Sequence, residues 1–252
     1  METTTTSPGR ESGRALSARL ERFDSFWEGP DDIESGYRSL GRFYEANYLG
    51  HVPEDRSARI LVVSCGPGYF VNLLVENGYT DVLGIDSDPE KVEHATARGL
   101  NCRAATAFEF LEAADHPFDV VICEQELNHL TKEEMTEFLR LVRGSLAPGG
   151  RVLCHGLNGA NPITGAEALS QNFDHFNAFT AYSLEQVLEH SGFSDIHVFG
   201  LHLYVFYRNP FNYVAAAAAG LLTLVFRGLF ILYGKSNRIF TKKIGAVAVR
   251  PE

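Results

Sequence analysis

The run Arg59-Ile60-Leu61-Val62-Val63, followed by Ser64-Cys65-Gly66-Pro67-Gly68 and then Tyr69-Phe70, constrains this chain more than any other stretch. Its aliphatic and β-branched residues read as a strand buried on both faces. The small-residue turn leads into a helical pattern with Phe70, Leu73 and Leu74 on one face, stopped by Asn77-Gly78. A strand, a glycine turn and a helix start bring backbone N–H groups and the positive end of a helix within reach of a ligand. Glycine suits the turn because a Cβ would block that approach or forbid the φ angle. Val82-Leu83-Gly84-Ile85-Asp86 follows as a second buried strand, ending in a carboxylate about 20 residues after the turn, the spacing of a ribose-binding acid. Such a carboxylate can accept both ribose hydroxyls. The other reading is that Asp86 caps the next helix, but Asp88, just before Pro89, is better placed for that.

Four motifs then stand in order: ILVVSCGPG, GIDSDPE, FDVVICEQELNHL and LAPGGRVL. Together they resemble the motif series of class I S-adenosylmethionine-dependent methyltransferases. The resemblance runs from Tyr44 to Phe199 and takes in the final strand. The third glycine of a nicotinamide-binding GxGxxG is absent. The resemblance implies an α/β fold: a Rossmann-like, seven-stranded, mostly parallel sheet with helices on both faces and an antiparallel last strand. It implies S-adenosylmethionine as cofactor, held by Ser64, Cys65, Gly66, Gly68, Asp86, Ser87, Thr106, Ala107 and Glu124. Relatives often carry an acid and a glycine where this chain has Val62 and Ser64, and an acid where it has Thr106. Phe108 is a candidate to flank the adenine, with core packing as its equal alternative.

Ligands of open α/β sheets lie beyond the carboxyl ends of the strands. The residues after Phe118–Cys123 should therefore face the transferred group. Among them His129 is the general-base candidate by residue type, in a position where relatives have an "EHL" histidine. A buried imidazole satisfied by backbone is the competing reading. The stretch Asn172 to Thr180 resembles the "D-x-T-H-x-x-x-F-T" segment of bacterial methyltransferases acting on sugars, glycolipids or natural products. His175 is thus a second base candidate, with Asp174 beside it to orient the ring; an exposed loop histidine is the alternative. Thr131-Lys132-Glu133-Glu134 fits a capping box. Loop residues 156–171, including Asn158, sit where the fold admits an acceptor. A helix from Ile33 to about Tyr48 carries many aromatics, so Tyr37, Arg38, Tyr44 and Asn47 are candidate substrate contacts, or ordinary packing residues.

The expected organisation is a disordered stretch 1–14 without the apolar core of a signal peptide, then a helical cap 15–50 that includes a helix Ala15–Trp27. A methyltransferase core follows over 51–207 and 244–252, interrupted by an apolar, basic helical insertion, 208–243. The formal net charge of −10 argues against a nucleic-acid partner. Cys65, Cys102, Cys123 and Cys154 form no CxxC pair, and no metal-ligand cluster is visible. They read as small core residues of a reducing, cytoplasmic compartment.

From Phe211 to Tyr233 the only charge is Arg227. The length would suit a membrane span, but both ends must return to one sheet edge. The expectation is therefore a hairpin or kinked pair of helices, broken at Gly220, Gly228 and Gly234. It would lie on the domain, on a second subunit of a homodimer, or at a membrane surface. Lys235, Arg238, Lys242 and Lys243 favour an anionic surface or acceptor; a solvated basic loop is the plainer reading. The activity implied is methylation of an oxygen on a small-molecule, sugar or lipid-linked acceptor. The alternatives are a non-catalytic binding protein that kept the fold, or a peripheral membrane protein.

Overall fold

The computed structural model describes residues 30–123, 126–170, 173, 175–202 and 210–252. The expected disordered stretch 1–14, the helix Ala15–Trp27, Glu124 and Asp174 lie outside the described residues.

Helix α1 (Pro30–Asn47) opens the described chain, with proline in its first turn. Strand β1 (Arg59–Val63), helix α2 (Tyr69–Glu76), β2 (Asp81–Asp86), α3 (Pro89–Ala97) and β3 (Cys102–Ala104) form the first half of the sheet. The second half runs α4 (Ala107–Ala113), β4 (Phe118–Cys123), α5 (Glu126–His129), α6 (Lys132–Ser145) and β5 (Leu146–Leu157). It continues through α7 (Gly165–Ser170), α8 (Ala181–His190), β6 (Ser194–Gly200), α9 (Pro210–Leu232) and β7 (Lys243–Val249).

Among the described residues the seven strands lie in the order β3-β2-β1-β4-β5-β7-β6. Strands β1 to β5 pair in parallel, whereas β7 is antiparallel to both β5 and β6. The expected architecture is therefore present. The order reverses between β1 and β4, and that switch opens a crevice at the carboxyl ends of the strands.

Alternation along the strands gives two cores. Ile60, Val62, Val120 and Ile122 face a cluster with Tyr44 of α1, Tyr48 just after it, Phe70 and Leu74 of α2 and Val92 of α3. Leu61, Val63, Val121 and Cys123 face the other way, against Phe138 and Val142 of α6 and Leu184 and Leu188 of α8. Burial on both faces is why these strands read as unbroken apolar runs. Helix α6 begins at the expected capping box, with Thr131 and Glu134 each bonding the other's backbone.

Strand β5 already starts at Leu146, which pairs with Phe118 across a register shift, and Gly149 donates to the Arg250 carbonyl. The apolar insertion is one continuous helix, α9, not a hairpin or kinked pair. Gly220 and Gly228 sit inside it, where each costs only about 1 kcal/mol against a long Ala/Leu background. The turn comes at Gly234, whose φ is +70°.

Candidate active site

The glycine turn is as tight as its sequence suggests. Gly66 and Gly68 have φ of +54° and +82°, and Ser64 shares the left-handed region at +57°. A Cβ on Gly68 would lie 2.8 Å from Leu100 Cδ1, so both conformation and space demand glycine. At Gly66 nothing stands within 4 Å of where a Cβ would be, leaving open room over the turn. Gly68 precedes α2 without a capping side chain, so no side chain closes off the helix's first N–H groups, while its carbonyl accepts from Asn72 N.

Asp86 ends β2 and is buried. One carboxylate oxygen accepts from Gly66 N at 2.7 Å and the other from Asp88 N at 2.9 Å. Each oxygen keeps a second lone-pair direction, the arrangement needed to take two vicinal hydroxyls. Asp88, not Asp86, caps α3 by accepting from Glu90 N, as expected. Ser87 is exposed beside it. Ala105 N donates to the Asp86 carbonyl, carrying the chain to Thr106, which caps α4, and to the half-buried Ala107. The cofactor candidates Ser64, Cys65, Gly66, Gly68, Asp86, Ser87, Thr106 and Ala107 thus line the ends of three adjacent strands. Phe108 meets Phe138 edge-on at 5.9 Å, so the core claims its ring.

The Cys65 and Cys102 thiols both occupy the space over Gly84, each 2.8 Å from where its Cβ would lie. A hydrogen bond from Cys65 holds the Cys102 thiol below its ordinary pKa. Burial pushes Cys154 up to about 12. All four cysteines are buried and free, and no metal-binding cluster stands among the described residues.

On the far side of the switch, the two histidine candidates meet. The rings of His129, at the end of α5, and His175 are 5.0 Å apart, edge to face. The His175 Nδ1 lies 2.8 Å from the Ala168 carbonyl. A carbonyl only accepts, so Nδ1 carries the hydrogen and the neutral ring keeps its lone pair on Nε2. Asn128 pins the two segments together. Its carbonyl accepts from Phe176 N at 2.9 Å, and its side chain accepts from Leu157 N at 3.3 Å. Asn177 returns a bond to the Leu130 carbonyl. Phe179 bridges Asn158 and enters the core, and Thr180 caps α8. The Phe-Thr of the sequence motif is therefore structural.

The substrate candidates fare differently. Tyr37 is buried and donates to the Pro67 carbonyl at 2.5 Å, propping the glycine turn. The Arg98 guanidinium lies 3.9 Å over its ring and grips Glu34 at 2.9 and 3.1 Å. Tyr44 stacks on Phe70 at 4.5 Å. Asn47 is buried, donating to the Phe43 and His202 carbonyls. Asn158 is fully buried, donating to the Ile239 and Thr241 carbonyls and accepting from Ala160 N. These four residues hold the scaffold; Arg38 alone of the group is exposed. One buried polar pair has no signal in the sequence. Tyr48 and His155 share a 2.7 Å hydrogen bond across 107 residues, and burial holds His155 well below its ordinary pKa.

These features outline a crevice at the strand ends beside Gly66 and Asp86, with a histidine pair in the segments after β4 and β5, on an open α/β sheet. The sequence model of a family described as a methyltransferase domain matches residues 38–198, well over half of the chain. The chain belongs to that family and, with this sheet, is a class I S-adenosylmethionine-dependent methyltransferase. No curated protein matches it. Among solved structures it is similar to a SAM-dependent methyltransferase from Archaeoglobus fulgidus (TM-score 0.60, 18% identity, 90% of this chain and 97% of that one). It is also similar to a putative methyltransferase from Haloferax volcanii solved with its Trm112 activator (TM-score 0.64, 15% identity, 88% and 94%). A third is the Haemonchus contortus phosphoethanolamine N-methyltransferase 2 solved with S-adenosyl-L-methionine (TM-score 0.60, 16% identity); 92% of this chain covers 60% of that one's length. At these identities the likeness is one of fold.

Proposed function

We propose that this enzyme methylates a hydroxyl oxygen of a small-molecule, sugar or lipid-linked acceptor. The observation that carries the reading is the His129–His175 contact, beside the strand ends and across the switch from Asp86. S-adenosylmethionine, when bound, supplies a methyl group already activated on a sulfonium centre. The residues present fit it: Asp86 offers two acceptor directions to a ribose, and the space over Gly66 admits a ligand against the backbone. Val62 is packed in the apolar core, so the acid of relatives has no counterpart there and other groups must meet the cofactor's ammonium.

The chain's own work is alignment and proton removal. The Ala168 carbonyl fixes the His175 tautomer, which directs Nε2 as the accepting nitrogen. His129, packed against its edge, restricts the ring's orientation. Holding acceptor and methyl in line provides much of the rate in such reactions.

Titration calorimetry with S-adenosylmethionine and S-adenosylhomocysteine is the test. Wild type should bind both, and Asp86→Ala should lose most of that affinity while remaining folded. With an acceptor in hand, His175→Ala should keep cofactor affinity and lose about a hundredfold or more in turnover. A folded wild type that binds neither nucleoside would instead make the chain a non-catalytic member of its family, consistent with its departures at Val62 and Ser64.

A further inference from the structure

Helix α9 is apolar along its length apart from the exposed Arg227. Over an 18-residue window its mean hydropathy is 2.0, and none of that window is buried. Leu221 and Leu224 are each 65% exposed, and Leu222 and Val225 45% and 50%. At about 100° per residue these four lie within an arc of about 160°, while the partly covered Phe226 and Phe230 lie on the other side, so the helix is apolar outward as well as inward. A helix of a water-soluble domain turns an apolar stripe inward and a polar face outward; one that is apolar all round belongs in a core or in lipid. Scattered exposed leucines are ordinary, but a contiguous helix of them is not.

We propose that α9 seats this enzyme in the surface layer of an anionic membrane, lying within one leaflet rather than crossing the bilayer. Its 23 residues extend about 34 Å, enough for the roughly 30 Å hydrocarbon layer, so length alone does not decide the orientation. Topology does. Strands β6 and β7 are hydrogen-bonded neighbours, with Gly200 opposite Ile244, so both ends of the insertion return to the same sheet edge. A full crossing would draw a non-helical return segment through lipid, where its backbone groups would have no partners.

The charges agree. Lys235 and Arg238 are exposed at the helix's C-terminal side and Lys242 is half-buried, on a chain of net charge −10. An anionic surface would attract this cluster and repel most of the body, which fixes the part that approaches. Tyr213 and Tyr233, 82% and 86% exposed near opposite ends, suit the level of the headgroups. At the helix foot, Phe226 and Phe230 lean on Phe240 at 6.0 and 4.8 Å. There Pro162, Leu229, Tyr233 and Lys235 join them around an apolar groove of about 390 Å³. Such an apolar groove suits an acyl chain. A second copy of the chain would cover the helix but bring the same basic cluster, leaving it without counter-charge.

The test is density-gradient flotation of the full-length protein with phosphatidylcholine vesicles, with and without phosphatidylglycerol. Wild type should float with the anionic vesicles. Lys235→Ala/Arg238→Ala/Lys242→Ala should lower partitioning by about a hundredfold, each charge near such a surface contributing about fivefold. Leu221→Asp/Leu224→Asp, exposed in the fold, should abolish flotation while nucleoside binding persists. Wild type that stays down with anionic vesicles overturns the proposal, whether it sediments as a monomer or as a dimer broken by the aspartates. Equal flotation on neutral vesicles overturns the anionic preference. Cofactor binding is read separately, so failure here is distinct from failure of the methyltransferase reading.

Discussion

Ser64 adopts a backbone conformation that L-residues avoid, at φ +57° in the glycine turn. The position is one where relatives often carry glycine, and the structure gives the physical reason. A serine there costs about 1–2 kcal/mol of conformational strain that glycine would not. Ser64→Gly should therefore stabilise the fold by about 1 kcal/mol, read as a higher denaturation midpoint at unchanged slope. A lower midpoint would show that the serine side chain makes compensating contacts. Asp86 was legible because a carboxylate ending a buried strand has a distinctive spacing. The His129–His175 pairing was not. Each histidine stood out alone, but only the folded loop, pinned by Asn128 and Asn177, brings them together.

At the level of elements, α1 braces the glycine turn. The Tyr37 hydroxyl holds the Pro67 carbonyl, and Arg98 of the segment after α3 locks Tyr37 from above. The sequence showed an excess of aromatics on this helix but not which way they faced, because burial of a tyrosine is decided by what packs over it. Tyr37→Phe keeps the ring contacts and leaves the carbonyl without its donor. It should cost about 1–2 kcal/mol of stability and also weaken nucleoside binding, since the turn loses its prop. Calorimetry beside denaturation separates the two effects: stability lost with affinity unchanged would mean that the brace does not reach the turn. The strands were legible throughout, because double-sided burial writes them as apolar runs. The continuity of α9 was not, because glycine discourages a helix without forbidding one.

Taken as one molecule, the fold carries a pH sensitivity in its interior. His155 is buried and held neutral in the folded state, while an unfolded histidine titrates near its ordinary value of about 6.5. His51, lowered by burial and by His197 and Arg151, acts in the same direction. Below about pH 6.5 the unfolded chain binds more protons than the folded one, so stability is full above that pH and falls as pH drops. His155→Asn, whose amide can still meet Tyr48, should flatten the fall between pH 7 and pH 5 by up to about 1.4 kcal/mol per pH unit. Superimposable pH profiles of wild type and variant would exclude His155 as the group responsible.

The sheet also divides the molecule's labour. The glycine turn, Tyr37 and Phe70 belong to the core on one face. The residues flanking the histidine pair, Leu127, Leu130 and Phe179, belong to the core on the other. Neighbouring residues of a single strand therefore report to different interiors. A substitution that repacks the second interior can thus leave the packing beneath the glycine turn as it was.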